Sequence, residues 1–265
     1  MDLEDVAVVP VSDGEAQGFR TEPVPRRIRA TLDHAVVVDT DRARYLFESG
    51  HLAVYLLPRD DVRHEYLRPS ATTTRSDLKG EARWWDLVVG DRVVPDAAWC
   101  YEGHPELKDH LSFYWNRLDA WFEEDEEAFV HPRDPYHRVD VLRSSRHVVV
   151  SVGGQVLADS HRPSVLVETS LPRRFYLPRA DVRLDLLEPS TTTTRCPYKG
   201  VASYFSYPGR GDEGAAGSRV DDLAWTYPAP IPELPKVEAL VCFFDERVDV
   251  TVDGVRQERP RTAWS

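Results

Sequence analysis

One stretch of sequence occurs twice in the chain, and this internal repeat constrains the architecture more than any other feature. The first copy, LPRDDVRHEYLRPSATTTRSDLKG, covers residues 57–80, and the second, LPRADVRLDLLEPSTTTTRCPYKG, covers residues 177–200. At this offset of 120, residues 55–85 and 175–205 align without a gap and share 16 identities in 31 pairs. A duplication of this kind predicts two domains of one common fold within the 265 residues.

Short runs of alternating apolar and polar residues surround each copy and predict antiparallel strands. The runs RATLDHAVVV and SVGGQVLA are typical of hairpins that turn at their central DH and GG dipeptides. Short helices are expected over ARYLFESG and PSVLVETS, and again after each Leu-Pro-Arg, where Pro69 and Pro189 would end them. The Thr runs should be extended, each followed by a Lys-Gly turn, and FYWNRLDAWFE should form one final strand.

These patterns predict a mainly β, β-rich α+β protein. We expect two tandem copies of a small antiparallel β-sandwich or open-barrel domain with short helices, related by a pseudo-two-fold axis. The expected divisions are a flexible N-terminal arm at 1–26, a first repeat domain at 27–124, an ordered connector at 125–147 and a second repeat domain at 148–265. The connector should dock the halves through Arg133, Tyr136 and Arg138.

Composition excludes several classes of function. A net charge of −12 repels phosphate backbones and argues against nucleic-acid binding. No apolar run approaches the roughly 20 residues of a membrane span, and the acidic N-terminus lacks the basic region of a secretory signal. The three cysteines, Cys100, Cys196 and Cys242, have Thr or Ser at their repeat positions, which favours free thiols in a reducing cytoplasm. We expect a cytoplasmic monomer with an internal pseudo-dimer.

The segments YLPRADVR, LEPSTTTTRCPYKGVASY and DLAWTYP resemble a bacterial family called domain of unknown function 427. Both copies resemble it, over about residues 27–122 and 147–252, and the second matches better because it keeps Cys-Pro-Tyr-Lys-Gly where the first has Ser-Asp-Leu-Lys-Gly. The tandem arrangement of this chain, with its HPRDPYHRVD connector, resembles an actinobacterial form of the family. The resemblance implies a small β-rich domain without an established activity. The family has also carried a nucleotidyltransferase label, but the chain has neither a Gly-Ser turn followed by paired Asp residues nor a P-loop.

Candidate chemistry lies in the Thr run and the Cys-Pro-Tyr-Lys-Gly loop of the second copy. Lys199 and Cys196 are the catalytic candidates, because an amine can form a Schiff base and a thiol beside cations can be a nucleophile. The alternative is an ordinary strand followed by a turn with a solvated lysine. The candidate ligand-binding residues are Arg183, Thr192, Thr193, Thr194, Tyr198, Asp222 and Trp225, and their first-copy equivalents are Arg63, Thr72, Thr73, Thr74, Lys79, Asp96 and Trp99.

Several of these residues also have structural interpretations. The recurring Arg residues could bind an anion or pair with Asp61 and Asp181. Asp222 and Trp225 could place a general base beside an aromatic wall, or could bond a turn and fill the core. Arg117 and Asp119, like Arg247 and Asp249, should share a strand face and form a surface or interdomain ion pair. The His residues of the connector lack a zinc-binding spacing, so neither a metal nor a cofactor is expected.

Three functions follow from these candidates. The first is binding of a small polar metabolite, anionic or carbonyl-containing, in a pocket near the loop of the second repeat. The second is a lyase or transferase that uses Lys199 or Cys196, with the Gly-rich segment 208–218 as a lid. The third is a scaffold without a pocket. A buried Lys199 with a carboxylate in reach is what the enzyme hypothesis requires, whereas a lysine in water over a convex surface would exclude the first two.

Overall fold

A computed structural model describes residues 18–209 and 218–262 of the chain. The chain divides into two compact units between Asp134 and Pro135. The strands of the first unit are β1 (Phe19–Pro23), β2 (Ile28–Leu32), β3 (Ala35–Thr40), β4 (Arg44–Glu48), β5 (Val54–Pro58), β6 (Leu67–Ser76), β7 (Gly80–Val89), β8 (Arg92–Cys100), β9 (His110–Phe113), β10 (Ala120–Glu123) and β11 (Glu126–Ala128).

The second unit repeats this series of strands. Its strands are β12 (Val139–Arg143), β13 (Val148–Val152), β14 (Gln155–Ser160), β15 (Ser164–Glu168), β16 (Arg174–Leu177), β17 (Glu188–Cys196), β18 (Gly200–Tyr207), β19 (Val220–Thr226), β20 (Val241–Phe243), β21 (Asp249–Val252) and β22 (Val255–Arg256). The helices in the described ranges are single 3₁₀ turns at Arg59–Asp61, His64–Tyr66, Trp115–Arg117, Arg179–Asp181, Leu184–Leu186 and Pro235–Val237. Among the described residues, none of these helices has the length and apolar character needed to cross a bilayer.

Each unit contains a seven-stranded and a four-stranded antiparallel sheet. The large sheets have the orders β1-β4-β5-β9-β8-β7-β6 and β12-β15-β16-β20-β19-β18-β17, which correspond strand for strand. The small sheets, β11-β10-β2-β3 and β22-β21-β13-β14, correspond in the same way. The prediction of two similar β-rich halves is therefore confirmed. Within the described ranges neither half closes into a barrel, so paired sheets are the architecture present.

An apolar core in each unit draws residues from both of its sheets. In the first unit Ile28 and Leu32 of the small sheet are fully buried with Leu57, Leu87 and Leu111 of the large sheet. In the second unit the corresponding core contains Val148, Leu157, Leu177, Leu223 and Val241. Each such side chain contributes about 1.5–3 kcal/mol when it is removed from water, so these two clusters are the main source of cohesion within each half.

A further apolar cluster lies on the opposite face of the second large sheet. Successive strand residues point to opposite faces, so Tyr176 leaves the main core that its neighbours Phe175 and Leu177 enter. Leu234 and Val237, from the segment between β19 and β20, pack into the same cluster. This segment therefore covers part of the outer face of the sheet, on the side where the candidate site lies.

The structure corrects several expectations about local structure. The expected helices over ARYLFESG and PSVLVETS are the strands β4 and β15, because each pairs with two neighbouring strands and buries side chains in the sheet. Pro69 and Pro189 do not end helices; they lie in β6 and β17 where the strand register shifts. FYWNRLDAWFE is two strands, β9 and β10, which belong to different sheets. The expected hairpins are present, and Asp33, His34, Gly153 and Gly154 all have positive φ, as tight hairpin turns require.

The ends of the expected domains also differ from the strand positions. Phe19–Pro23 was expected in a flexible arm, but it forms β1 and pairs with β4; residues 1–17 of that arm lie outside the described residues. Val139–Arg143, expected in the connector, forms β12 and pairs with β15 in the corresponding way. The connector's role in docking the halves stays a prediction. Most of the expected lid, at 210–217, lies outside the described residues.

Candidate functional site

Lys199 lies in the turn between β17 and β18, and its side chain is buried. Only 10% of the side chain is exposed, and Nζ donates hydrogen bonds to both carboxylate oxygens of Glu168, each at 2.5 Å. Glu168 is the last residue of β15 and shares a strand face with Leu166 of the outer apolar cluster. The interpretation of Lys199 as a solvated turn residue is therefore wrong.

Gly200 allows this turn to pack closely against another segment. Its φ is +102°, and a Cβ at this position would meet the Ala229 carbonyl oxygen and the Ile231 nitrogen, each at 3.3 Å. The Ile231 N–H donates to the Lys199 carbonyl oxygen at 3.2 Å. Because glycine has no Cβ, the backbone at 229–231 can approach the turn closely, and this close approach places the backbone of that segment directly beside the Lys199 turn.

His137 and Tyr198 complete the group. His137 lies two residues before β12, and its Nε2 is 3.0 Å from Glu168 Oε1. Its ring stacks on the ring of Tyr198, with 4.1 Å between centroids and 16° between planes. We call Lys199, Glu168, His137 and Tyr198 the Lys199 cluster. It joins a cation, a carboxylate, an imidazole and a phenol from three separate parts of the second half.

The carboxylate of Glu168 is held in its charged form. Burial by itself would raise its pKa, but the hydrogen bond from His137 and the charge and hydrogen bond of Lys199 outweigh burial and lower the pKa below its usual value. Burial raises the pKa of the neighbouring Tyr176 and Tyr227 hydroxyls, so both stay neutral phenols. The cluster thus offers one buried negative charge with cationic and aromatic neighbours.

The first half also has the lysine–glutamate pair. Lys79 Nζ contacts Glu48, and the Lys79 side chain is 6% exposed. Tyr198, however, corresponds to Leu78, which is 41% exposed. Residue 17, which corresponds to His137 at the offset of 120, is glutamine and lies outside the described residues. The ion pair is therefore common to both halves, whereas the positions of the imidazole and the stacked phenol carry glutamine and leucine in the first half.

The Thr run makes mainly structural contacts. Thr192 donates to Asp222 Oδ2 at 2.8 Å, and Thr72 donates to Asp96 Oδ2 at 2.9 Å. Both Asp residues have positive φ, of 49° and 47°, and lie where the strand register shifts. These contacts hold the irregular part of the hairpin together, and they favour the structural interpretation of Asp222 and Asp96 over a role as general base.

The remaining threonines and tryptophans divide between the surface and the core. Thr193, like Thr73, is exposed on its edge strand. Thr194 Oγ1 lies 2.8 Å from the Tyr204 hydroxyl, while Thr74 accepts a hydrogen bond from Trp84. Trp225 is 9% exposed and donates to the Tyr176 hydroxyl at 3.0 Å, so it belongs to the outer apolar cluster. Trp99 packs between Trp84 and Tyr114, with centroid distances of 5.3 and 4.9 Å.

Arg183 lies in another part of the second half. It pairs with the exposed Asp185 and, with Asp159 and Asp181, lines an open hollow of about 310 Å³. Its first-half equivalent, Arg63, is also exposed. Pairing with a local carboxylate is thus present at Arg183, but the partner is Asp185; Asp61 and Asp181 bind Arg42 and Arg162 instead. Arg117 and Asp119 do not share a strand, since Arg117 ends a 3₁₀ turn and β10 begins at Ala120; Asp119 forms its surface ion pair with Arg92.

Cys196 is half-buried at the end of β17, where it pairs with Gly200 across the hairpin. It and the two buried cysteines, Cys100 and Cys242, are all free. The Lys199 N–H donates to the Cys196 carbonyl oxygen at 3.4 Å. The side-chain hydrogen bonds described for the Lys199 cluster join Lys199 and His137 to Glu168 and do not involve the Cys196 thiol, so the lysine is the stronger of the two catalytic candidates.

Sequence reasoning missed Glu168 and His137 as members of the site. A signal for Glu168 existed, because Glu48 and Glu168 occupy equivalent positions in the repeat, as Lys79 and Lys199 do. Paired cationic and anionic residues repeated at one offset predict a contact between them. His137 had no comparable signal, since its contact depends on where the segment before β12 lies beside β15.

The family of the chain follows from a comparison with protein-family models. A model described as domain of unknown function (DUF427) matches residues 20–124 and 140–254. The two matches run from β1 to β10 and from β12 to β21, so each copy of the family domain is one pair of sheets. A comparison with curated proteins found no match. The chain belongs to the DUF427 family and carries two copies of its domain.

Proposed function

We propose that the second half binds a small polar ligand, anionic or carbonyl-containing, at the Lys199 cluster. The observation that carries this proposal is the difference between the halves. Both have a buried lysine–glutamate pair, and the second adds a half-buried imidazole and a stacked phenol at positions where the first half has glutamine and leucine. A buried ion pair that served packing alone would need neither addition.

The chemistry of the cluster suits an oxygen-bearing ligand. An ammonium group has three N–H donors, and the two contacts of Lys199 to Glu168 leave donor capacity for a carboxylate, phosphate or carbonyl oxygen. Such a bond from a charged donor is about twice as strong as a neutral one. His137 is 19% exposed at its side chain, so it can contact both the buried carboxylate and a ligand at the surface.

The enzyme hypothesis has one observation in its favour. Lys199 is buried with a carboxylate in reach, which is the arrangement that a lyase or transferase acting through this lysine requires. Attack on a carbonyl needs the neutral amine, whereas the bonds to both oxygens of Glu168 suit the ammonium. Binding is therefore the better-supported function, and covalent chemistry through Lys199 is the second candidate. The scaffold hypothesis would account for the ion pair but not for the additional residues.

A matched pair of variants tests the proposal. Lys199→Met and Lys79→Met each leave one partner of a buried ion pair unpaired, so each should cost about 3–5 kcal/mol of unfolding free energy. Thermal-shift and NMR titrations with small carboxylates, phosphates and 2-oxo acids should show ligand-dependent changes in the wild type and in Lys79→Met, and none in Lys199→Met. His137→Phe keeps an aromatic ring against Tyr198 and should weaken binding while the fold is retained.

Two results would contradict the proposal. One is the lack of any response of the wild type across these three ligand classes. The other is an equal loss of response in Lys79→Met and Lys199→Met. That result would show that the variants lose the ligand response because the protein is destabilised, and not because a binding site at Lys199 is removed. Borohydride reduction with carbonyl ligands tests the second candidate: a stable mass increase on Lys199 would establish Schiff-base chemistry.

A further inference from the structure

We propose that His147, Asp159 and His161 bind one divalent transition-metal ion of the Zn²⁺ class on the small sheet of the second half. These residues belong to neither the Lys199 cluster nor its surroundings, so this proposal is independent of the proposed function. One ligand atom from each of the three lies within 4.8 Å of the others.

The strand register places the three side chains on one face. In the β13–β14 hairpin, Val148 pairs with Ser160 and Val149 pairs with Asp159. His147, one residue before β13, therefore lies opposite His161, one residue after β14. Asp159 and His161 are two residues apart and point to the same side. Cross-strand neighbours of this kind are close enough for their side chains to interact.

The distances agree with this register. His147 Nε2 lies 2.7 Å from Asp159 Oδ1, and the two imidazole rings stack with 4.0 Å between centroids and 13° between planes. Parallel rings do not point their nitrogens at one position, so binding requires a rotation of a side chain. His161 is exposed, and a change between staggered rotamers is open to it.

The backbone beneath the three residues is fixed. The His147 N–H donates to Asp253 Oδ1 at 2.9 Å, and the Asp253 N–H donates to the His147 carbonyl oxygen at 2.8 Å. Next to His161, Ser160 is buried and its hydroxyl donates to Asp181 at 2.8 Å. A fixed backbone that carries adjustable side chains can close around an ion without a change in the sheet.

The donor set matches the ions named. Two imidazoles and one carboxylate are ligands that Zn²⁺ and its neighbours in the first transition row accept, and three protein ligands leave a position for water. Asp159 also lines the open hollow shared with Arg183, so solvent reaches the carboxylate.

The first half has a different set of residues at the equivalent positions. The offset of 120 relates His147, Asp159 and His161 to Arg27, Asp39 and Asp41. There the Arg27 guanidinium binds Asp39 through Nε at 2.6 Å and Nη2 at 2.5 Å, and so supplies the positive charge beside the carboxylate. The second half has two imidazoles in place of that arginine and of Asp41. A bound cation would supply the charge that Arg27 supplies in the first half.

Titration of metal-free, tag-free protein tests the proposal. Calorimetry with Zn²⁺ and absorbance with Co²⁺ should give one ion per chain. His147→Gln, Asp159→Asn and His161→Gln should each weaken binding at least about tenfold, since even the loss of a group behind a metal ligand costs 10–100-fold. His51→Gln, which changes an exposed histidine of the first half, should leave the affinity unchanged. Circular dichroism in chelator should show all four variants folded.

The proposal is overturned if the wild type takes up no ion, or if the three site variants bind within twofold of it. It is also overturned if His51→Gln weakens binding as much as His147→Gln does, because that result would indicate uptake by scattered surface histidines.

Discussion

Glu168 is the residue at which the polar contacts of Lys199 and His137 meet. Its carboxylate accepts hydrogen bonds from Lys199 and lies within hydrogen-bonding distance of His137, although its side chain is only 7% exposed. Removing a charge from water costs several kcal/mol, and the attraction between partners roughly offsets that cost. Loss of one partner is therefore far more harmful than loss of both, and the pair acts as a unit.

The charge of Glu168 makes the stability of the second half vary with pH in the acid range. Its pKa is lowered from a value of 4.5, so the native state stabilises the ionised form. This stabilisation is complete above about pH 4.5 and is lost as the pH falls through the native pKa. Glu168→Gln should be less stable than the wild type by about 3–5 kcal/mol at pH 7, and the difference should shrink below about pH 4.5.

Urea unfolding between pH 3 and pH 7 measures this difference. Glu238→Gln changes an exposed glutamate of the same half and is the control, with an expected difference near zero at pH 7. A deficit of Glu168→Gln that stayed constant from pH 7 to pH 3 would show that the charge of Glu168 contributes nothing.

The β17–β18 hairpin is the element that brings Lys199 to its partner. Cys196 pairs with Gly200 across the two strands and closes the turn. The segment at 229–231 forms a further bridge and a hydrogen bond to Lys199 and Gly200. The β6–β7 hairpin of the first half has the same turn, but apart from its two chain neighbours no atom of residues 18–209 or 218–262 lies within 4 Å of the place where a Cβ of Gly80 would be. The two hairpins share a backbone conformation and differ in what packs on it.

Alanine at the two glycines separates conformation from packing. Gly80 and Gly200 have φ of +84° and +102°, so alanine is strained at both and should cost about 1–3 kcal/mol from conformation alone. Gly200→Ala must also displace backbone atoms at 3.3 Å and should cost at least about 1 kcal/mol more than Gly80→Ala. It should also weaken ligand response at Lys199. Chemical denaturation of both variants measures the difference. Equal losses of unfolding free energy would mean that contact with the segment at 229–231 adds nothing to the cost of alanine at Gly200.

At the scale of the whole molecule, each half has a core built from its own residues. The clusters around Leu57 and Leu177 draw on strands of one unit each. Their polar groups differ as well: the first half buries Glu123 with Arg26 and Tyr55, whereas the second buries Arg174 with Glu246. The same arrangement of sheets therefore accommodates different buried charges, which is consistent with divergence of the copies after duplication.

Because each half has its own core, we expect a destabilising substitution in one half to leave the stability of the other half unchanged. Lys79→Met should raise amide hydrogen exchange within residues 18–134 and leave 135–262 near the wild-type rate, and Lys199→Met should do the reverse, because local stability follows the contacts of each cooperative unit. Exchange followed by mass spectrometry measures both. Faster exchange throughout the chain in either variant would show that the halves unfold as one.

Much of the fold was already determined by the sequence itself. The repeat, the β class, the paired hairpins and the extended Thr runs follow from turn residues and from side chains that alternate at a period of two, which are properties of neighbouring residues. The resemblance to the DUF427 family rests on contiguous motifs and could be found in the same way.

Only the tertiary structure decided which side chains meet. Glu168 and Lys199 are 31 residues apart, as are His137 and Glu168, and their contacts exist because β12, β15 and the β17–β18 turn come together. The strands β4 and β15 likewise became strands because neighbouring strands supply their hydrogen-bond partners. The order and register of a sheet are set by packing between distant segments, so the site they create cannot be read from the spacing of residues along the chain.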